Sequence, residues 1–230
     1  MTEAKPLDHN DKARPGAVAP GSVVLGVATD DLDAAAPALE VALHEAGCRG
    51  APIVVLHGCG PGRPLKPESS WADRKLMDHG RRITANVAKQ LRRMGVVGAP
   101  VLGITSPLPP GDALVECSRT AALLVLHERP RPHPRVHPGP GRTVREVAAL
   151  ADCPVVVLRG PETGLGRQGV VVGVDEHGRS QAALHVAMDE AVASGERVTA
   201  LHAWDVPGTV EVPPTLGELE VGHETAAHPR

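Results

Sequence analysis

The chain has 230 residues, with 24 Lys and Arg against 27 Asp and Glu; the formal net charge of -3 offers no basic footprint for nucleic acid. It contains no Phe, no Tyr and only two Trp, so its core must be built from Val, Leu, Ala and Ile, which suits parallel strands and closely packed helices. No apolar run is long enough to span a bilayer, and residues 1–16, MTEAKPLDHNDKARPG, lack a signal peptide's apolar centre, so a cytoplasmic protein is expected.

Residues 1–20 are polar and rich in Pro and Gly and read as a flexible tail. Val23–Val27 reads as the first strand. Asp30, Asp31 and Asp33 precede the first helix and complement its dipole, while Pro37 is expected near its first turn. Ile53–Leu56 is the second strand, and a Gly/Pro loop follows over 58–67. A second helix runs from about Ser70 to Gly95. Its apolar residues Leu76, Ile83, Val87, Leu91 and Met94 keep helical spacing, with Arg81, Arg82, Lys89, Arg92 and Arg93 on the water side. Val101–Ile104 is the third strand; Asp112 is placed to cap a helix over Ala113–Arg119, and Ala122–Leu126 is the fourth strand. After the loop His127–Arg142, HERPRPHPRVHPGPGR, Thr143 and Glu146 have capping-box spacing for a helix ending at Leu150. Cys153-Pro154 leads into the fifth strand, Val155–Leu158. Strands and helices alternating over residues 21–160 predict a doubly wound α/β domain with a five-stranded parallel sheet.

Residues 161–168 read as a linker, and one further strand–helix–strand follows in Gly169–Trp204. Val170–Val174 ends at Asp175. Ser180 is the expected N-cap, Leu184, Met188 and Ala191 share a helical face, Gly195 closes the helix, and Val198–Leu201 is the returning strand. Leu39–His57 aligns without a gap on Leu184–His202, matching Glu45-Ala46 to Glu190-Ala191, Gly50 to Gly195 and Leu56-His57 to Leu201-His202. Val24–Val27 likewise matches Val171–Val174. Residues 169–230 therefore read as a truncated second copy, a partial βαβ repeat with an irregular C-terminal tail. His57 and His202, at the ends of equivalent strands, read as structural.

The stretches VVVGVDEHGRSQAAL at 170–184, VTALHAW ending at Trp204, LLVLHERP at 123–130 and GRTVREVAALADCPVVVL at 141–158 resemble the universal stress protein family. The resemblance implies that family's adenine-nucleotide-hydrolase-like fold and a role in stress response. In the family's nucleotide-binding branch, an Asp ending strand one contacts adenine. A loop of spaced glycines followed by Ser or Thr cradles phosphates at the next helix N-terminus. Here Ala28 stands in the Asp slot, His127 and Pro130 replace the first two glycines, Gly141 remains, and Arg142 precedes Thr143. The second copy keeps Asp175 and ends before its own phosphate loop. Gly141, Arg142, Thr143 and Asp175 are thus the candidate ligand residues of a degenerate ATP-binding motif, and the bulky and cyclic side chains are expected to fill the crevice. No cofactor is expected; ATP or another phosphate ligand along loop 127–143, helped by Arg129, Arg131, Arg135 and Arg142, is the alternative.

No metal site is expected. His127, His133 and His137 lack a completing carboxylate or thiolate pattern, and prolines between them splay the chain. Cys48, Cys59, Cys117 and Cys153 form no C-x-x-C pair and read as reduced, packed thiols. No nucleophile elbow or Walker loop is visible, so no catalytic residues are assigned and a non-enzymatic regulatory or interaction protein is expected. The resemblance also implies self-association through strand five, Val155, Val156, Val157 and Leu158, in a homo-oligomer. The partial repeat, unable to bury both faces of two strands, is expected to dock on the strand-five edge or on a partner chain.

Overall fold

Strands buried on both faces must be apolar along their whole length, and the central strands satisfy this. A computed structural model describes residues 18–29, 31–68, 70–95, 100–128, 141–159, 169–175 and 178–203. Strands β1 (Val23–Gly26), β2 (Ile53–Gly58), β3 (Val101–Ser106), β4 (Leu123–Glu128) and β5 (Val155–Arg159) form one parallel sheet in the order β3-β2-β1-β4-β5. Helices α1 (Leu32–Arg49) and α2 (Trp71–Arg93) cover one face, packing Leu39, Val87 and Leu91 on Leu25, Ile53 and Val125. Helices α3 (Pro110–Ser118) and α4 (Arg142–Leu150) cover the other, packing Leu114 and Val147 on Val24, Leu56 and Leu124. Val18, within the span read as a tail, is buried in this second layer.

Helix starts follow local chemistry where a cap is available. Asp31 accepts from the Ala34 N–H at the head of α1, and Ser70 accepts from the Asp73 N–H at the head of α2. Asp73 is itself buried and pairs with Arg63 at 3.0 Å, which ties the loop after β2 to α2. Three expectations need correction. Asp112 lies inside the first turn of α3, which starts at Pro110 without a side-chain cap; proline's preset φ serves there instead. The Thr143–Glu146 capping box does not form. Gly141 is the N-cap of α4, and Glu146 turns toward α3, where a Cβ on Gly111 would lie 2.5 Å from its Oε2. Pro37 sits beyond the first turn of α1, which continues through it, and the residue is buried.

On α2 the buried stripe is Met77, Gly80, Ile83, Thr84, Val87, Ala88 and Leu91, whereas Leu76 and Met94 are exposed. The five basic residues predicted to face water are exposed. Gly80 marks a close approach of helix to sheet: a Cβ there would lie 2.5 Å from Cys59 Sγ and 2.7 Å from Thr105 Cγ2.

Strands β6 (Val170–Val174) and β7 (Val198–His202) pair in parallel around α5 (Gln181–Ser194) as a separate two-stranded sheet. Gly195 has φ of 71° and closes α5 as predicted. Met188, expected on the packed face with Leu184 and Ala191, is exposed; Ala187 and Ala191 are the buried residues of α5. The sheet positions matching buried Val24 and Leu56 are Val171, 67% exposed, and Leu201, 58% exposed. In the larger sheet those positions lie under α3 and α4, helices that the smaller unit lacks among the described residues. Docking of this unit on β5 is not observed, because neither β6 nor β7 joins the larger sheet. Instead Glu190 of α5 meets Arg49 of α1 at 3.0 Å, and Arg49 also pairs with Glu45. Such a solvent-facing pair contributes about 1 kcal/mol or less.

In an open helix, replacing Gly by Ala stabilises by roughly 1 kcal/mol. At Gly80 the added methyl must push α2 off β2 and β3, so Gly80→Ala is expected to destabilise by roughly 1–3 kcal/mol. Urea denaturation of the two proteins checks the sign.

Candidate functional site

The strand order reverses at β1, which lies between β2 and β4. A crevice at the carboxyl ends of these strands is the expected place for a ligand. A cavity of about 420 Å³ opens there. Small residues line it at the strand ends: Gly26, Val27 and Ala28 at and just after the end of β1, and Gly58 at the end of β2. A Cβ on Gly26 would lie 2.6 Å from Leu126 Cδ2, and one on Gly58 would lie 2.6 Å from the Cα of Pro110. Leu56, Leu114, Leu126 and Val144 supply apolar walls, and His127, Glu128, Gly141, Arg142 and Thr143 supply the polar side.

Of the bulky and cyclic residues expected to fill the crevice, His127 lines this cavity. Pro130, His133 and His137, with Arg129, Arg131 and Arg135, lie outside the described residues. Among the described residues, no group of three or more His, Cys, Asp and Glu side chains is placed to hold a metal ion.

Of the predicted ligand residues, Gly141, Arg142 and Thr143 come together at the start of α4 and line the cavity. Arg142 is exposed at the rim. Asp175 does not belong with them. At the end of β6 it accepts from the Arg179 backbone N–H at 3.0 Å, Arg179 Nε at 3.1 Å and Ser180 Oγ at 3.0 Å, and so shapes the turn into α5. Ser180 is spent on this turn and makes no side-chain cap.

Sequence reasoning missed Glu128. Its Oε1 accepts from the Gly141 N–H at 2.6 Å, and its Oε2 accepts from Arg159 Nε at 2.8 Å. The available signal was an acidic residue two positions after the apolar run of a central strand, at the end that borders the crevice.

His57 Nδ1 lies 2.8 Å from the carbonyl oxygen of Val27. A carbonyl can only accept, so Nδ1 carries the proton and donates. His202 makes the same bond to the Val174 carbonyl at 2.8 Å, so both histidines stitch a second strand to a first. Burial lowers the His57 pKa, His79 lowers it further, and the Val27 bond opposes them. The unfolded chain therefore binds the extra proton more readily, and stability is full above the ordinary value of 6.5 and lost as pH falls below it. The thermal midpoint should fall less between pH 7 and 5 for His57→Asn, which keeps a donor without titrating.

None of the four cysteines is in a disulfide. Burial pushes the Cys59 and Cys117 thiols up to about 11 and raises Cys153 as well, whereas Cys48 is exposed. Mass spectrometry after iodoacetamide at pH 8 should show Cys48 labelled about tenfold or more faster than Cys59 and Cys117.

Among the described residues no helix is long and apolar enough to cross a membrane. Residues 24–159 match the Universal stress protein family. Universal stress protein Rv2623 of Mycobacterium tuberculosis is 27% identical over 202 residues, covering 79% of this chain and 63% of the relative. Universal stress protein Rv2005c of the same organism is 30% identical over 179 residues, covering 74% and 60%. The chain thus spans less than two thirds of the length of these relatives. A crystal structure of a universal stress protein from Archaeoglobus fulgidus DSM 4304 superposes with a TM-score of 0.59 at 16% identity, covering 79% of this chain and 67% of that one. The match runs from the first strand of the five-stranded sheet to the end of the fifth and takes in more than half of the sequence, and on it the chain belongs to the universal stress protein family.

Proposed function

We propose that this protein is a non-enzymatic regulator of the stress response in the cytoplasm, which binds a small ligand in the β1–β4 cleft and acts by altering its contacts with other proteins. The observation that carries the reading is the cavity of about 420 Å³ at the reversal point of the sheet. That size and its mainly apolar lining with a few converging polar groups suit a ligand of nucleoside size. An alternative, a phosphate-bearing ligand such as ATP held along residues 127–143, leans on Arg142 at the rim.

For the protein contacts, β5 is the natural surface. It ends the sheet, with Val155, Val156 and Val157 half-buried and Leu158 buried beneath. An edge strand of this kind presents a row of unpaired backbone groups to a second copy.

Ala28 is exposed at the mouth of the cavity. Ala28→Trp should therefore close the cleft without disturbing the core. Calorimetric titration with adenosine is expected to show saturable binding to the wild type and at least about tenfold weaker binding to the variant. Binding unaffected by the substitution would place the ligand elsewhere, and phosphate release from ATP above a heat-killed control would contradict the non-enzymatic reading.

A further inference from the structure

A helix N-terminus that opens into an apolar cavity is ordinarily an anion site, because its first amides lack partners and its dipole favours negative charge. The helix α4 begins at the cleft, and its N-cap Gly141 lies in the cavity wall. Of the four amides at this helix start, the one on Gly141 is already occupied. Glu128 Oε1 accepts its N–H at 2.6 Å, and Glu128 Oε2 accepts from Arg159 Nε at 2.8 Å. Only 13% of the Glu128 side chain is exposed, against 54% for Arg159. Glu128 and Arg159 are register partners at the ends of the adjacent parallel strands β4 and β5. The carboxylate and its guanidinium are thus set by strand pairing.

Resting on the ligand reading above, we propose that Glu128 is the specificity-determining residue of the cleft: a built-in anion that holds the place a phosphate would take, so that the cavity accepts an uncharged, donor-bearing molecule of nucleoside size and discriminates against its phosphorylated form. A phosphate entering at Gly141 must displace this carboxylate and then stand beside it. Both steps are unfavourable: a good hydrogen bond is lost, and two like charges are brought together with little water between them. Arg142 does not reverse the balance, because it is exposed at the rim, where solvent and salt weaken its attraction. An uncharged ligand meets neither cost. Its ring can lie against Leu56, Leu114, Leu126 and Val144. A hydroxyl or amine on it can donate to a lone pair of Glu128 that neither Gly141 nor Arg159 uses.

Adenosine and ATP share base and ribose and differ in the triphosphate, so they form the test pair. Isothermal titration calorimetry is carried out on the full chain with adenosine and with ATP plus magnesium, for the wild type and Glu128→Gln. The wild type is expected to bind adenosine at least about tenfold more tightly than ATP, and Glu128→Gln, which keeps an acceptor for Gly141 without the charge, is expected to narrow that preference by about tenfold. The wild-type preference alone decides the matter if the variant does not fold. A wild type that binds ATP as tightly as adenosine overturns the proposal. A folded Glu128→Gln protein with the wild-type preference also overturns it, while leaving the cleft standing as a ligand site. Failure of both compounds to bind either protein overturns this assignment together with the ligand reading beneath it.

Discussion

A parallel sheet that reverses its strand order must part its covering helices at the reversal, and the rest of this molecule follows from that geometry. At β1 the crossovers leave toward opposite faces, α1 and α2 on one and α3 and α4 on the other. A crevice is then left at the carboxyl ends of β1 and β4, with α3 and the start of α4 along one side. Whether such a gap is a cavity or a packed corner depends on the side chains at the strand ends. Here they are Gly26, Ala28 and Gly58, and the gap stays open.

The same geometry delivers charge to the cleft. The β4–β5 register sets Glu128 beside Arg159, and the chain returns to start α4 at Gly141 within reach of that carboxylate. The hydrogen bond closes one end of the cleft from inside the protein. It also satisfies one amide at the start of a helix that lacks a side-chain cap of its own: the N-cap is glycine, and Thr143 makes no capping box. One acidic residue thus serves both the helix start and the character of the site.

Much of the scaffold was legible in the sequence because it depends on local pattern. Continuous apolar runs marked all five strands of the larger sheet, Ser70 marked a helix start, and Gly195 marked a helix end. The αβ alternation led to the doubly wound sheet, and the structural role read for His57 and His202 agrees with their matching bonds to strand carbonyls. The site was less legible, since an open crevice is a property of three strand ends that lie far apart in sequence. Bulky residues in the 127–142 loop suggested a filled crevice, and residues 129–140 of that loop lie outside the described residues; the cavity beside it is lined by Gly26 and Gly58, which no single segment brings together. Glu128 was passed over because its partner Arg159 is 31 residues away and becomes a neighbour only through strand pairing. Asp175 was grouped with Gly141 through the family resemblance, whereas its bonds to Arg179 and Ser180 serve the turn of the smaller unit.

At the head of α4 the Gly141 amide is satisfied by the protein's own carboxylate beside an open cleft. Titration of ¹⁵N-labelled protein with inorganic phosphate, followed at the Gly141 amide resonance, tests it most directly. The account predicts that the Gly141 peak stays in place through the millimolar range. A saturable shift of that peak, with loss of the Glu128 contact, would contradict it.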